Sequence, residues 1–596
     1  MPKFGSHIIF AEKARNARPD LFPDVHDAAY LLGAIGPDTT LFMFDPATSM
    51  PELRRGMLMA LEVLGAVNRV KDEIGRVTDE LTKPFDDLTD WLTGGLSNDL
   101  RYTINTGIEA MFSAVKLGLA LAPNTVTLAN PLLSILPKIP AGFLSDESLR
   151  APQWVIKASE PVGFPFRMFG HPFTYDPPWK PQREPPGLYD NWWWMDMLHY
   201  RRTGAFATSL LRNARGPVQA SYARGYMTHY AGDVSGHPFI NSLVDGPFRN
   251  HAYRHLVLET MADTWLWSHD GRGDILDAKL HKKIDLNTAD SEQVANLVIQ
   301  TMKEVYTDPM LPKLLRNRYP ERDEFLEAYR FMQNYLRMST SGGVKMPPVP
   351  PENPKEILEE IRKLLENNVP GPLPGWNGDI VDFLKALFSW FGKGLTLLAM
   401  IATLPYAVLL RFVTVAPRWV IYIINLGLYY IVSAIRTMLC LTGWGYCSED
   451  DFRNFGFLKR MIVSGDFEGQ YPMATSLITK PPFYWLASPR IIGSRHEPDA
   501  TVPLMPTGRG KWPSWMIDPL NKVDIAAIHA FANATGPDDA AHLVSRYGGQ
   551  SVFGNAVDFS IALLDGAVPA FDFDLDGDRG YGFKGWEEVP PGDYYV

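Results

Sequence analysis

Thr228-His229-Tyr230-Ala231-Gly232-Asp233-Val234-Ser235-Gly236-His237 and the run from His251 to Asp263 place seven candidate metal ligands at intervals of four residues: His229, Asp233 and His237, then His251, His255, Glu259 and Asp263. Four-residue spacing on a helix lines successive side chains along one face. Each set could therefore offer two or three donors to one cation, and imidazole with carboxylate suits zinc. A single His with an acidic residue four positions on also reads as a solvated surface pair; two such sets in one short window favour a metal cage. Gly236 and Pro238 predict that the first helix ends near Gly236, because the residue before a proline is pushed out of the α region, so that His237 turns inward from a loop.

The elements that must position these residues begin at the N-terminus. His7 to Thr48 opens with an apolar, helical stretch, and His26 to Gly36 reads as a helix broken by Gly36-Pro37, leaving Asp38 at its exit. Asp38 could then reach into a site or serve only the turn. Residues from about 50 to 185 read as an insertion: a charged helical stretch from Leu53 to Leu92, apolar segments at Ile108–Leu121 and Leu128–Ile139, and a Pro-rich stretch from Pro152 to Pro186. Trp192-Trp193-Trp194 leads into Met195 to Gly204 at helical spacing, with His199 inside it. Three adjacent tryptophans suit either a core or a membrane–water boundary.

Four stretches together resemble the zinc-dependent phospholipase C group, which includes the bacterial phosphatidylcholine-preferring enzymes, the amino-terminal domain of glycosylphosphatidylinositol-specific phospholipase D and, distantly, the S1/P1 nucleases. They are Gly5-Ser6-His7-Ile8, Gly33 to Asp38, His229 to His237, and His255 with Glu259 and Asp263, in the family's order. The resemblance covers about residues 1–48 and 190–270. The interval of four between Asp233 and His237 matches the phospholipase D version. The resemblance implies a mainly α-helical catalytic domain and a site of two or three zinc ions drawing on His7, Asp38, His199, His229, Asp233, His237, His255 and Glu259.

In that carry-over, Asp38, His199, His229 and Asp233 hold one ion, and His237, His255 and Glu259 another. His7 and a bridging Asp233 contribute to a third. Asp263 would orient His255 or His251 from behind. His26 and His171 compete with His199 and read more readily as structural. The implied chemistry is phosphodiester hydrolysis, since such ions polarise phosphoryl oxygens and lower the pKa of water to about 7. Asp38 is then the candidate general base, and the ion held by His237, His255 and Glu259 the stabiliser of the leaving alkoxide.

Composition agrees with a large globular chain. At 596 residues and 46% hydrophobic, it has room for about three or four domain-sized units. A formal net charge of −10 argues against a nucleic-acid surface, which needs concentrated Lys and Arg. Two cysteines, Cys440 and Cys447, exclude a disulfide scaffold and a thiolate zinc finger; one bridge between them is open. The N-terminal residues lack the apolar core of a secretory signal. The expectation is synthesis in the cytoplasm, membrane association and, for action elsewhere, a leaderless route such as that of an effector delivered into another cell.

Gly394–Leu410 and Trp419–Ile435 are each seventeen residues without a charge, separated by a short link with Pro417, and Pro405 is expected to kink the first. They read as a hydrophobic helical hairpin, either buried in a helical domain or inserted in a phospholipid membrane, flanked by Trp390, Trp419, Trp444, Lys393 and Arg436 as anchors. A membrane partner suits a lipid hydrolase. Mixed-charge helices are expected at Asp290–Tyr306, Glu321–Met338 and Pro354–Asn367, with a linker at Val369–Gly375. Near the C-terminus, Asp572, Asp574, Asp576, Gly577 and Asp578 resemble a Ca2+ loop, although Phe583 stands at position twelve where a bidentate Glu is expected; a solvated acidic turn fits as well.

The expected organisation is a catalytic domain at 1–270 interrupted by the insertion, a helical linker region at 271–375, the hairpin at 376–447 and a C-terminal module at 448–596. The expected activity is phospholipase C-type release of diacylglycerol and a phosphorylated head group. Phospholipase D-type cleavage is the nearest variant, and a membrane-perturbing protein with a structural metal site a separate class.

Overall fold

The computed structural model describes residues 3–43, 51–83, 91–121, 193–244, 255–353 apart from short gaps, 380–448, 556–570 apart from 568, and the single positions 139, 144, 145, 572 and 575. The regular elements among these residues are helical. In chain order the longer ones are α1 (Phe4–Ala17), α2 (Asp27–Ala34), α3 (Pro51–Leu81), α4 (Leu96–Leu121), α5 (Trp194–Tyr200), α6 (Thr203–Asn213), α7 (Gly216–Val244), α8 (Thr288–Val305), α9 (Arg322–Thr340), α10 (Ile380–Ala402), α11 (Tyr406–Val415), α12 (Pro417–Leu441) and α13 (Ala556–Leu564), with a 3₁₀ helix at Pro37–Phe42 after α2. The chain forms two compact units: Met1–Arg54 with Phe166–Ser341 and Leu458–Val596, and Arg55–Pro165 with Gly342–Phe457. The described parts of the expected insertion and of the apolar hairpin thus fall in one unit, while α13 falls in the unit of α1 and α7.

In the first unit, α7 is the central element. It runs unbroken through Gly236 and Pro238, which corrects the expectation that the helix ends near Gly236 and delivers His237 from a loop. An interior proline removes one helical hydrogen bond; Val234, Gly236 and His237, in the turn before it, are all buried, so tertiary packing overrides the local preference. His229, Asp233 and His237 consequently share one face at successive turns.

Helix α2 lies against α7 at a distance only glycine permits. A Cβ on Gly33 would stand 2.1 Å from the Tyr222 carbonyl oxygen, and one on Gly225 would stand 1.9 Å from the Tyr30 carbonyl oxygen. This contact brings the end of α2, and Asp38 in the first turn of the 3₁₀ helix, beside His229. Trp194 is fully buried and stacks on Tyr319 with centroids 5.7 Å apart, and the Trp193 indole donates to the Met43 carbonyl at 3.1 Å. These two tryptophans are core residues of the first unit; Trp192 lies outside the described residues.

Helices α8 and α9 start at Thr288 and Arg322, within two residues of the expected Asp290 and Glu321. Asn287 Oδ1 accepts the Asp290 N–H at 2.9 Å, and Glu324 accepts the Glu321 N–H at 2.9 Å. The expected elements at Leu128–Ile139, Pro152–Pro186, Pro354–Asn367 and Val369–Gly375 lie outside the described residues, apart from Ile139.

In the second unit, α10 and α12 pack on each other and on α4, and Pro405 ends the first half of the hairpin so that α11 forms a separate short helix between them. A Cβ on Gly394 would stand 2.9 Å from the Gly427 carbonyl oxygen. Lys385–Ala402 and Pro417–Cys440 are long and apolar enough to cross a membrane, yet 61% and 89% of these segments are buried within the protein. Cys440 and Cys447 are buried with sulfurs 3.4 Å apart.

Candidate metal centre

All eight candidate ligands are in the first unit, and all are buried. They gather as three groups whose donor atoms lie within 4.8 Å of one another: His7, Asp38 and His229; His199, His229 and Asp233; and His237, His255 and Glu259. His229 belongs to two of them. This grouping differs in detail from the one the resemblance implied, because His7 joins Asp38 and His229, while its contact with Asp233 is an Nε2–Oδ1 approach of 3.2 Å.

Each donor is presented by a specific helix. His7 projects from α1, whose first N–H groups are received by Asp263: Gly5 N–H at 2.7 Å and Ser6 N–H at 3.0 Å, with the Ser6 hydroxyl also donating to this carboxylate. A carboxylate there satisfies orphan donors and complements the helix dipole. Asp263 therefore anchors the helix that bears His7; the expected orientation of His251 lies outside the described residues. Gly232, one turn after Thr228 on α7, faces the ring of His7, and a Cβ there would stand 2.9 Å from His7 Nδ1. Only glycine lets α1 bring its imidazole this close.

Three of the imidazoles are aimed in the same way. His229 Nδ1 meets the Ala34 carbonyl at 2.9 Å, His199 Nδ1 meets the Met195 carbonyl at 2.8 Å, and His237 Nδ1 meets the Leu575 carbonyl. A carbonyl only accepts, so each Nδ1 carries the hydrogen and each Nε2 points its lone pair inward. His229 Nε2 lies 2.8 Å from Asp233 Oδ2, and His199 Nε2 lies 3.8 Å from the same oxygen and 3.7 Å from Asp38 Oδ1. His255 Nε2 is 2.6 Å from Glu259 Oε1, which is 3.8 Å from His237 Nε2.

Two lone pairs facing at 2.8 Å repel unless a proton or a metal ion lies between them. No hydrogen bond reaches either oxygen of Asp38. Buried carboxylates without donors are costly, and donor atoms about 3 to 4 Å apart suit ligands sharing an ion at bond lengths of about 2.0 to 2.2 Å. The residues present fit zinc.

Electrostatics point the same way. Burial, helped by His229, lowers the pKa of His7 to about 4, so its ring is neutral at physiological pH, the form that binds a metal. Burial pushes Asp233 up, but His229 and His7 outweigh it and hold the carboxyl well below its ordinary range. Burial raises Glu259 to about 7, opposed in part by Lys3, whose ammonium donates to Thr260 Oγ1 at 2.7 Å. Lys3 was not among the sequence candidates; a single lysine near a chain start carries no signal of burial.

Of the competing histidines, His26 caps α2, accepting the Ala29 N–H at Nδ1, and faces Asp290 with its other nitrogen at 3.3 Å. Its role is structural. His171 lies outside the described residues.

Residues 168–309 match the family model described as zinc dependent phospholipase C. The match includes His199, His229, Asp233, His237, His255 and Glu259, whereas His7 and Asp38 precede it. It supports a zinc-dependent, phospholipase-type hydrolase with a mainly α-helical domain. No curated protein and no solved structure matches the chain.

Proposed function

We propose that the first unit is a zinc-dependent phospholipase that hydrolyses the phosphodiester of glycerophospholipids in the phospholipase C manner, releasing diacylglycerol and a phosphorylated head group. The observation that carries this reading is the set of inward Nε2 atoms facing buried carboxylates, with His229 Nε2 at 2.8 Å from Asp233, within a segment that matches the zinc-dependent phospholipase C family.

His7, Asp38, His199, His229 and Asp233 would hold ions on one side of the site, and His237, His255 and Glu259 on the other. Bound there, zinc would polarise the phosphoryl oxygens and lower the pKa of the attacking water to about 7. Asp38 is the general base, receiving the water's proton on a carboxylate oxygen that no hydrogen bond engages. Asp233, kept ionised by His229 and His7, links the two histidine groups without itself taking that proton. The helices around the site exclude bulk water, which strengthens each of these interactions.

Association with a phospholipid surface belongs to the same reading. The large apolar side chains that stand exposed among the described residues, including Met346, Val349, Tyr406 and Val415, all lie in the second unit. Because α10 and α12 are mostly covered, shallow contact through α11 is favoured over a crossing hairpin.

The test combines metal analysis with mass spectrometry of products from mixed phospholipid vesicles. Wild type is expected to carry zinc and release diacylglycerol, and Asp233→Ala and His255→Ala to lose both. Phosphatidic acid as the product would assign D-type cleavage instead. Leakage of vesicles without head-group release, persisting in both variants, would assign the membrane-perturbing alternative.

A further inference from the structure

Leu575 lies more than 300 residues downstream of the ligands, yet it touches two of the residues that present them. Its carbonyl accepts from His237 Nδ1, and its N–H donates to the carbonyl of His199 at 2.9 Å. His199 is in the last turn of α5, where carbonyls have no partner within the helix, so the Leu575 N–H supplies one. Leu575 itself is fully buried.

The residues before it are tied to the same helices. Asp572 accepts the Ala205 N–H at 2.9 Å in the first turn of α6, where a negative charge also complements the helix dipole. Helix α13 packs on α7 and α1, with Phe559 and Tyr230 at 6.1 Å between ring centroids, and Asp565 pairs with Arg18 at 3.2 Å just past the end of α1. Tyr230 adjoins His229. The segment therefore touches the helices carrying His7, His199, His229, Asp233 and His237.

We infer that the backbone of Leu575 is a positioning element of the metal centre: its carbonyl fixes the tautomer of His237 and its N–H the seat of His199, joining the two sides of the site. The inference rests on the reading of the three groups as zinc ligands. Groups that orient a metal-bound imidazole through its other nitrogen typically change metal affinity about 10 to 100-fold when removed. The Leu575 side chain contributes nothing to either hydrogen bond, so the effect must follow the backbone and not the residue type.

The experiment compares Leu575→Pro, which removes the N–H, with Leu575→Ala, which keeps both backbone groups, in the full chain. A second variant ends at Ala570, keeping α13 but lacking Leu575. Zinc affinity is measured by chelator competition, the ligand field by the visible spectrum of the Co2+-loaded protein, and folding by helical circular dichroism. The expected result for Leu575→Ala is lower unfolding stability from the cavity its buried side chain leaves, with zinc affinity and the Co2+ spectrum disturbed less than in Leu575→Pro. The chain ending at Ala570 and Leu575→Pro should keep the helical signal, bind zinc about 10 to 100-fold more weakly and show an altered Co2+ spectrum. Unchanged affinity and spectrum in either folded variant would overturn the inference. A wild-type chain that binds neither Zn2+ nor Co2+ would instead overturn the metal-site reading itself.

Discussion

His7 and His229 stack face to face, with ring centroids 4.0 Å apart and planes inclined by 15°. They come from α1 and α7, and no surface pair would be held this way: both are buried, and both present Nε2 to Asp233, at 3.2 and 2.8 Å. Two imidazoles and one carboxylate converging in a dry interior form a site suited to a cation.

Removing the metal should therefore destabilise the first unit. A ligand present at 100 times its dissociation constant contributes about 2.7 kcal/mol. Chelation is expected to lower the melting temperature and zinc to restore it, measured by scanning calorimetry; a melting temperature indifferent to both would contradict the proposed site.

Zinc binding should weaken with acid in a defined window. The proton competes for Glu259, raised by burial to about 7, whereas His7, lowered by burial to about 4, stays neutral until far lower pH. The affinity of the His237, His255 and Glu259 group should fall as pH drops through about 7. Chelator competition at several pH values measures this, and tighter binding on acidification would refute it.

Gly232→Ala should disturb the centre without touching a ligand. The added Cβ would stand 2.9 Å from His7 Nδ1, forcing α1 and α7 apart. Overpacking of this kind costs about 1 to 3 kcal/mol. Denaturant unfolding and zinc content should both fall; wild-type values for both would show that the contact is slack.

Glu12 offers a test away from the metal. Burial raises its pKa, but Lys283 at 2.8 Å and Arg272 outweigh that and hold it below its ordinary value of 4.5. A depressed carboxyl contributes stability above the unfolded pKa and loses it as pH falls through the folded pKa. Glu12→Gln should therefore be less stable than wild type at neutral pH, with the difference shrinking below about 4.5. Urea titrations at pH 7 and pH 3 measure it, and a constant difference would exclude the ion pair as its source.

Vesicle binding tests the apolar surface of α11. Tyr406→Glu with Val415→Glu should reduce sedimentation with phospholipid vesicles while leaving zinc content unchanged, since neither residue lies in the first unit. Equal sedimentation would place lipid contact elsewhere.

Residue type and spacing alone pick out five of the candidate ligands. His229, Asp233 and His237, and His255 with Glu259, stand at helical intervals, and a helix needs no tertiary information to place such residues on one face. The resemblance that added His7, Asp38 and His199 was carried by short motifs in order, and those side chains converge in the folded chain. The extent of α9 was similarly plain, expected at Glu321–Met338 and found at Arg322–Thr340.

What surrounds the ligands was decided by the tertiary structure. The carbonyls of Ala34, Met195 and Leu575 fix three imidazoles, and a backbone carbonyl has no residue-type signature. The course of α7 through Pro238 went against the local rule because packing of the turn before it, where Val234, Gly236 and His237 are buried, overrides one lost hydrogen bond. The partners of Leu575 and Asp572 lie hundreds of residues away, and the role of Asp263 at the start of α1 spans more than 250 residues of chain. Local spacing encodes which donors share a face; only the long-range packing of separate helices determines which faces meet.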